Sequence, residues 1–258
     1  MGPAIPDPSP AGRGVETGES EPPISQQPGL RAGEAGVTLW WRVEPPECRA
    51  TDLELLDASE RERAARFALP RDRALFASAH ALLRRALGAK LGVAPRELRF
   101  GAERRGKPLL EHPADGGVAF NLSHTRGASM AALGPVSELG VDVESGASLG
   151  DPLELAPSVF HPAEQAWLSA GLDSSDRRAR FLKLWTLKEA YLKARGLGLG
   201  GGPATWKLTE IRIDPEALTL VVPDLVDPSP ARWHFEVGEL EGPSDASAPL
   251  TWALAWRP

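Results

Sequence analysis

The sequence predicts an α+β fold on three observations. Two long helical segments lie far apart in the chain, short β-branched and aromatic runs flank both, and helices and strands do not alternate strictly. At 258 residues the chain is long enough for one large domain or two small ones. Residues 1–36 are rich in Pro, Gly, Ser and Glu and hold hardly any large apolar side chains, so they predict a disordered extension.

The folded part is expected to begin with a strand at Val37–Val43, which is β-branched and aromatic. Ser59 and Glu62 stand in capping-box spacing and predict a short helix over 59–69. A longer helix follows over 71–91, where Phe76, Ala79, Leu82, Leu83, Ala86 and Leu87 recur on one face. Short strands are expected at 98–100, 118–122, 128–133 and 140–144. His161-Pro162-Ala163-Glu164 reads as a helix start with proline in the first turn. Arg178–Arg195 predicts a second long helix, ended by the glycine-rich run 196–202. Strands at 211–213, 218–222, 233–237 and 252–256 complete a loose echo of the first half's element order.

Charge and cysteine content narrow the function classes. The only cysteine, Cys48, excludes an internal disulfide framework and fits a reducing cytoplasm. No signal-peptide pattern opens the chain and no apolar run is long enough to span a bilayer, so it reads as soluble. A net charge of −6 offers no general attraction to nucleic acid or anionic lipid, and an anionic ligand would have to be caught in a local basic pocket.

Four short segments could carry chemistry. In Gly140-Val141-Asp142-Val143-Glu144 the strand period sends both carboxylates to one face, where a divalent cation such as Mg²⁺ would relieve their repulsion. The wet face of an edge strand would look the same. In the second long helix Leu184, Leu187 and Tyr191 form an inward stripe, while Trp185, Glu189 and Lys193 recur at four-residue steps beside it. That spacing also suits a surface ion pair. In Asn121-Leu122-Ser123-His124 the donors of Asn121, Ser123 and His124 gather near a strand end and suit a phosphate, although a histidine there can equally be structural. Arg104-Arg105-Gly106-Lys107-Pro108 places Arg105 and Lys107 on a turn, either for a ligand phosphate or as a plain exposed basic loop.

Taken in series, Gly106-Lys107-Pro108, Asn121-Leu122-Ser123-His124, Gly140-Val141-Asp142-Val143-Glu144 and Trp185-Thr186-Leu187-Lys188-Glu189-Ala190-Tyr191-Leu192-Lys193 resemble the Sfp-type 4'-phosphopantetheinyl transferase superfamily. The resemblance runs from about Val37 to the C-terminus. It implies a monomer of two similar, pseudo-symmetric α+β halves, 37–138 and 139–258, with coenzyme A and Mg²⁺ in the cleft between them. It further implies that Asp142, Glu144 and Glu189 bind the metal, and that Glu189 is the base, directly or through a water held by the metal. Lys193 and Lys188 would lie with coenzyme A, Lys193 on its phosphates; Asn121, Ser123 and His124 would lie toward the adenosine end, and Gly106, Lys107 and Pro108 beside the adenine. Arg71 is expected on the 3'-phosphate, with Arg66 and Arg73 as competitors; His80 stands where some family members have Arg and is left unassigned. The partner implied is an apo acyl or peptidyl carrier protein, whose serine is the nucleophile. Two rival readings use the same residues: a coenzyme A binding protein without catalysis, and a metal-dependent phosphoesterase.

Overall fold

A computed structural model describes residues 25–27, 35–43, 49–102, 108–113, 117–146, 150–170, 173–197, 208–222, 227–243 and 249–258. It is mixed α and β, as expected. The first part comprises strands β1 (Ser25–Gln27) and β2 (Thr38–Val43), helices α1 (Ala50–Leu55), α2 (Ala58–Ala65) and α3 (Pro70–Leu91), then β3 (Arg99–Ala102), β4 (Pro108–His112), β5 (Ala119–Thr125) and β6 (Ala128–Gly134). The second comprises β7 (Glu138–Ser145), helices α4 (Pro152–Val159), α5 (Pro162–Ser169) and α6 (Ser174–Ala194), and strands β8 (Arg212–Asp214), β9 (Thr219–Val221), β10 (His234–Leu240) and β11 (Leu250–Arg257).

Two antiparallel sheets organise the molecule, one in the order β1-β2-β6-β5 and one in the order β10-β11-β7. Strand alternation gives each sheet two apolar faces. Val37, Leu39, Met130 and Ala132 of the first sheet pack against Val141, Val143, Trp252 and Leu254 of the second. On the first sheet's other face Leu82, Leu83, Ala86 and Leu87 of α3 cover Phe120, Ala131 and Leu133. On the second sheet's other face Leu187, Ala190, Tyr191 and Ala194 of α6 cover Phe235, Ala253 and Ala255. The chain passes from one sheet to the other between Gly134 and Glu138.

Several expectations are corrected. Ser25–Gln27 lies within the stretch expected to be disordered, yet it pairs with Leu39–Trp41 and satisfies part of the β2 edge. The capping box of α2 is set two residues earlier than the sequence spacing suggested. Asp57 Oδ1 accepts from Glu60 N and Glu60 Oε2 from Asp57 N, both at 2.9 Å. That helix ends at Ala65 because Leu69 must be extended (ψ 129°) ahead of Pro70. Helices α1 and α4 and strand β4 were not anticipated; α4 carries Pro157 inside it, which obscures its pattern. Among the described residues no helix is long and apolar enough to cross a membrane.

Candidate active site

The site is built where the edge strands β5 and β7 meet under α6. Residues 121, 123 and 125 of β5 share one face, and all three side chains reach β7. Val141 N–H donates to Asn121 Oδ1 at 2.9 Å and Val143 N–H to Ser123 Oγ at 3.4 Å. Ser123 Oγ donates to Asp142 Oδ1 at 2.9 Å, and Thr125 Oγ1 to Glu144 Oε2 at 3.1 Å. Side chains thus replace a backbone ladder between the two sheets and fix both carboxylates.

From the other side comes the four-residue stripe of α6. Lys193 Nζ donates to Asp142 Oδ1 at 2.6 Å and to Ser123 Oγ at 2.7 Å. Trp185 hydrogen-bonds the Glu144 carboxylate. Glu189, between them on the helix, is buried and feels both strand carboxylates. Burial first, then the Asp142 charge, raises Glu189 to about 7, with Glu144 adding and Lys193 opposing. Burial and then Asp142 also raise Glu144. Asp142 and Glu144 of β7 thus act electrostatically on Glu189 of α6.

These residues fit a hard divalent cation. They supply only carboxylate oxygens, and Asp142 Oδ2 is buried without a hydrogen-bond partner, which is costly unless something positive takes it up. Among the described residues no three His, Cys, Asp or Glu side chains converge as a ready ligand group. The ammonium of Lys193 is the positive charge in contact with Asp142.

His124 points to the α3 side of β5. It is exposed, yet loss of solvent followed by Lys193, His80 and Arg63 holds it well below the ordinary histidine value. Arg63 lies over the Phe76 ring at 5.3 Å, and His80 stacks on that ring at 4.0 Å while holding Glu60 Oε1 at 2.9 Å. Sequence reasoning passed over Arg63 and left His80 unassigned. The available signal was Phe76, four residues before His80 and hence under it on α3.

The other assigned residues make contacts of their own. Lys188 is buried, and its ammonium is engaged by Glu164 Oε2 at 2.6 Å, Leu208 O at 3.0 Å and Val159 O at 3.2 Å, so it braces α6 from within. Asn121 is a sheet-joining residue through its Oδ1, and Ser123 is occupied by Asp142 and Lys193 instead of facing outward. Arg71 is exposed in the first turn of α3, 3.6 Å from Asp72. Pro108 opens β4 opposite Ala102, while Arg105, Gly106 and Lys107 lie outside the described residues.

Comparison with known proteins bears on this geometry. Residues 138–253 match the family model described as the 4'-phosphopantetheinyl transferase superfamily, and residues 41–133 match that described as 4'-phosphopantetheinyl transferase, N-terminal. The chain is 37% identical over 195 residues to the 4'-phosphopantetheinyl transferase HetI of Nostoc sp., covering 74% of this chain and 78% of that protein. It is 34% identical over 158 residues to a phosphopantetheinyl transferase of Thraustochytrium sp., covering 57% and 54% of the two chains. With the 4'-phosphopantetheinyl transferase of Bacillus subtilis the identity is 28% over 144 residues, covering 56% and 62%.

Proposed function

The chain belongs to the 4'-phosphopantetheinyl transferase superfamily, and we propose that it moves the 4'-phosphopantetheine group of coenzyme A onto a serine of an apo acyl or peptidyl carrier protein. The observation that carries this reading is the meeting of the Trp185, Glu189 and Lys193 stripe with Asp142 and Glu144, beside a partnerless Asp142 Oδ2. Asp142, Glu144 and Glu189 would hold Mg²⁺. Bound there, it supplies charge neutralisation for the coenzyme A pyrophosphate.

The protein's own groups do the rest. Glu189, buried beside Asp142 and Glu144, is placed to take the proton of the attacking serine hydroxyl, directly or through a water. The serine oxygen forms a bond to the phosphorus bearing the pantetheine arm, the pyrophosphate P–O bond breaks, and adenosine 3',5'-bisphosphate leaves with the electron pair. Lys193 stabilises charge growing on the departing oxygen. Arg63 supplies a positive charge on the α3 side of β5, with the imidazoles of His80 and His124 beside it, a group suited to the phosphate-rich adenosine end. We read the two sheets, each with one long helix on its outer face, as the two similar halves of the fold, with the substrate cleft between them, and the protein as a cytoplasmic monomer.

The test is the intact mass of an apo carrier protein after incubation with the enzyme, coenzyme A and Mg²⁺. A gain equal to the phosphopantetheine arm is expected. Bisphosphate release without a modified carrier would mean hydrolysis instead, and neither product would leave a protein that only binds coenzyme A.

A further inference from the structure

We infer that Lys193 and the divalent cation compete for Asp142: the lysine is the built-in counter-ion of the ion-free protein, and cation uptake displaces it from Asp142 Oδ1. The inference rests on the metal reading above and extends it to a coupling between two positive groups.

Three observations carry it. The Lys193 ammonium stands 2.6 Å from Asp142 Oδ1 and is held a second time by Ser123 Oγ at 2.7 Å, an arrangement that aims it at the carboxylate group and away from solvent. Asp142 is locked in place, since its side chain is 3% exposed and Oδ1 also receives the Ser123 hydroxyl. Lys193 is the mobile member, with a side chain 27% exposed on a flexible four-carbon stem.

A second cation brought to the same oxygens meets a like charge at contact distance and a carboxylate already paired. Either the cation binds weakly, or the lysine swings off. Released, the ammonium is free to turn toward a bound phosphate, so cation uptake would ready the lysine for its part in transfer.

Removing the lysine should therefore tighten cation binding. In Lys193→Met the affinity for Mg²⁺, measured by calorimetric titration of EDTA-stripped full-length protein without coenzyme A, should rise about tenfold, a usual size for coupling between two binding events. The melting temperature of the variant in EDTA should fall by ~5 °C, because the carboxylates lose their counter-ion, and saturating Mg²⁺ should restore it. Ser123→Ala, which removes one of the two anchors of the ammonium, should move affinity in the same direction by about two- to threefold, and it reports even if Lys193→Met does not fold in EDTA. Mg²⁺ binding to wild type with equal or weaker binding to both variants overturns the competition and leaves the metal reading standing. No Mg²⁺ binding by any of the three overturns both.

Discussion

Gly140 lies flat against Ala190, with no room for a side chain between β7 and α6. A Cβ on Gly140 would overlap the Ala190 carbonyl oxygen and stand 3.0 Å from Ala194 Cα. The contact sets the distance between the strand bearing Asp142 and Glu144 and the helix bearing Glu189 and Lys193. Gly140→Ala should cost ~1–3 kcal/mol of stability by overpacking, read from the urea midpoint. It should also lower transfer far more than stability explains, since the obstructing atoms are backbone and the helix itself must shift. An unaltered rate in the folded variant would show that this spacing is not critical.

The carboxylate of Glu189 makes the ion-free protein pH-sensitive in a direction opposite to an ordinary paired carboxylate. Its folded value of about 7 exceeds the unfolded value of 4.5. Between those limits the native state holds a proton that the unfolded state has released, so stability falls as pH rises from 4.5 to 7 and is level above. The full effect is about 3 kcal/mol at roughly 1.4 kcal/mol per pH unit. In EDTA, urea midpoints at pH 5 and pH 8 should differ accordingly in wild type, and Glu189→Gln should remove that part of the difference.

Period alone made the Trp185, Glu189 and Lys193 stripe and the Asp142 and Glu144 face legible, because helix and strand geometry are local. What each face meets is not local. Lys188 and Glu189 are sequence neighbours about 100° apart on α6, and nothing local says that one turns to Glu164 and the other toward Asp142. Asn121 and Ser123 share a face as read from the strand period, but their partners on β7 arise only when two sheet edges meet. Arg63 and His80 converge because α2 docks on α3 through Glu60, which binds His80 at 2.9 Å and Arg84 at 2.8 Å. The strand face and helix stripe were therefore readable, and the assembly between them was not.

The Lys188–Glu164 pair should prove structural. Lys188 is 1% and Glu164 2% exposed, and Glu164 also accepts from His161 N and Ile213 N, both at 2.8 Å. Lys188→Met leaves a buried carboxylate without its cation and should cost ~3–5 kcal/mol. Adding Glu164→Met removes the orphaned charge, although the two backbone N–H groups lose their acceptor, so the double variant should recover only part of the loss. Urea titration of the two proteins decides this. A double variant less stable than Lys188→Met would mean that the acceptor role of Glu164 outweighs the ion pair.

The arginine that matters beside His124 should be Arg63 and not Arg71. Lys193, His80 and then Arg63 are the charges that act on His124, whereas Arg71 is paired with Asp72 and is not among them. Removing a nearby positive charge makes protonation easier, so Arg63→Ala should raise the His124 pKa and Arg71→Ala should leave it unchanged, as read from the imidazole Cε1–H shift across a pH titration. The same cations meet an anionic ligand, so Arg63→Ala should weaken coenzyme A binding by about tenfold or more, the worth of one charge-assisted hydrogen bond. Arg71→Ala should change it by less than about twofold, because Arg71 is turned to its own neighbour Asp72. The NMR shift separates the two arginines even in the absence of ligand. A larger loss of coenzyme A affinity in Arg71→Ala would return the 3'-phosphate to the start of α3.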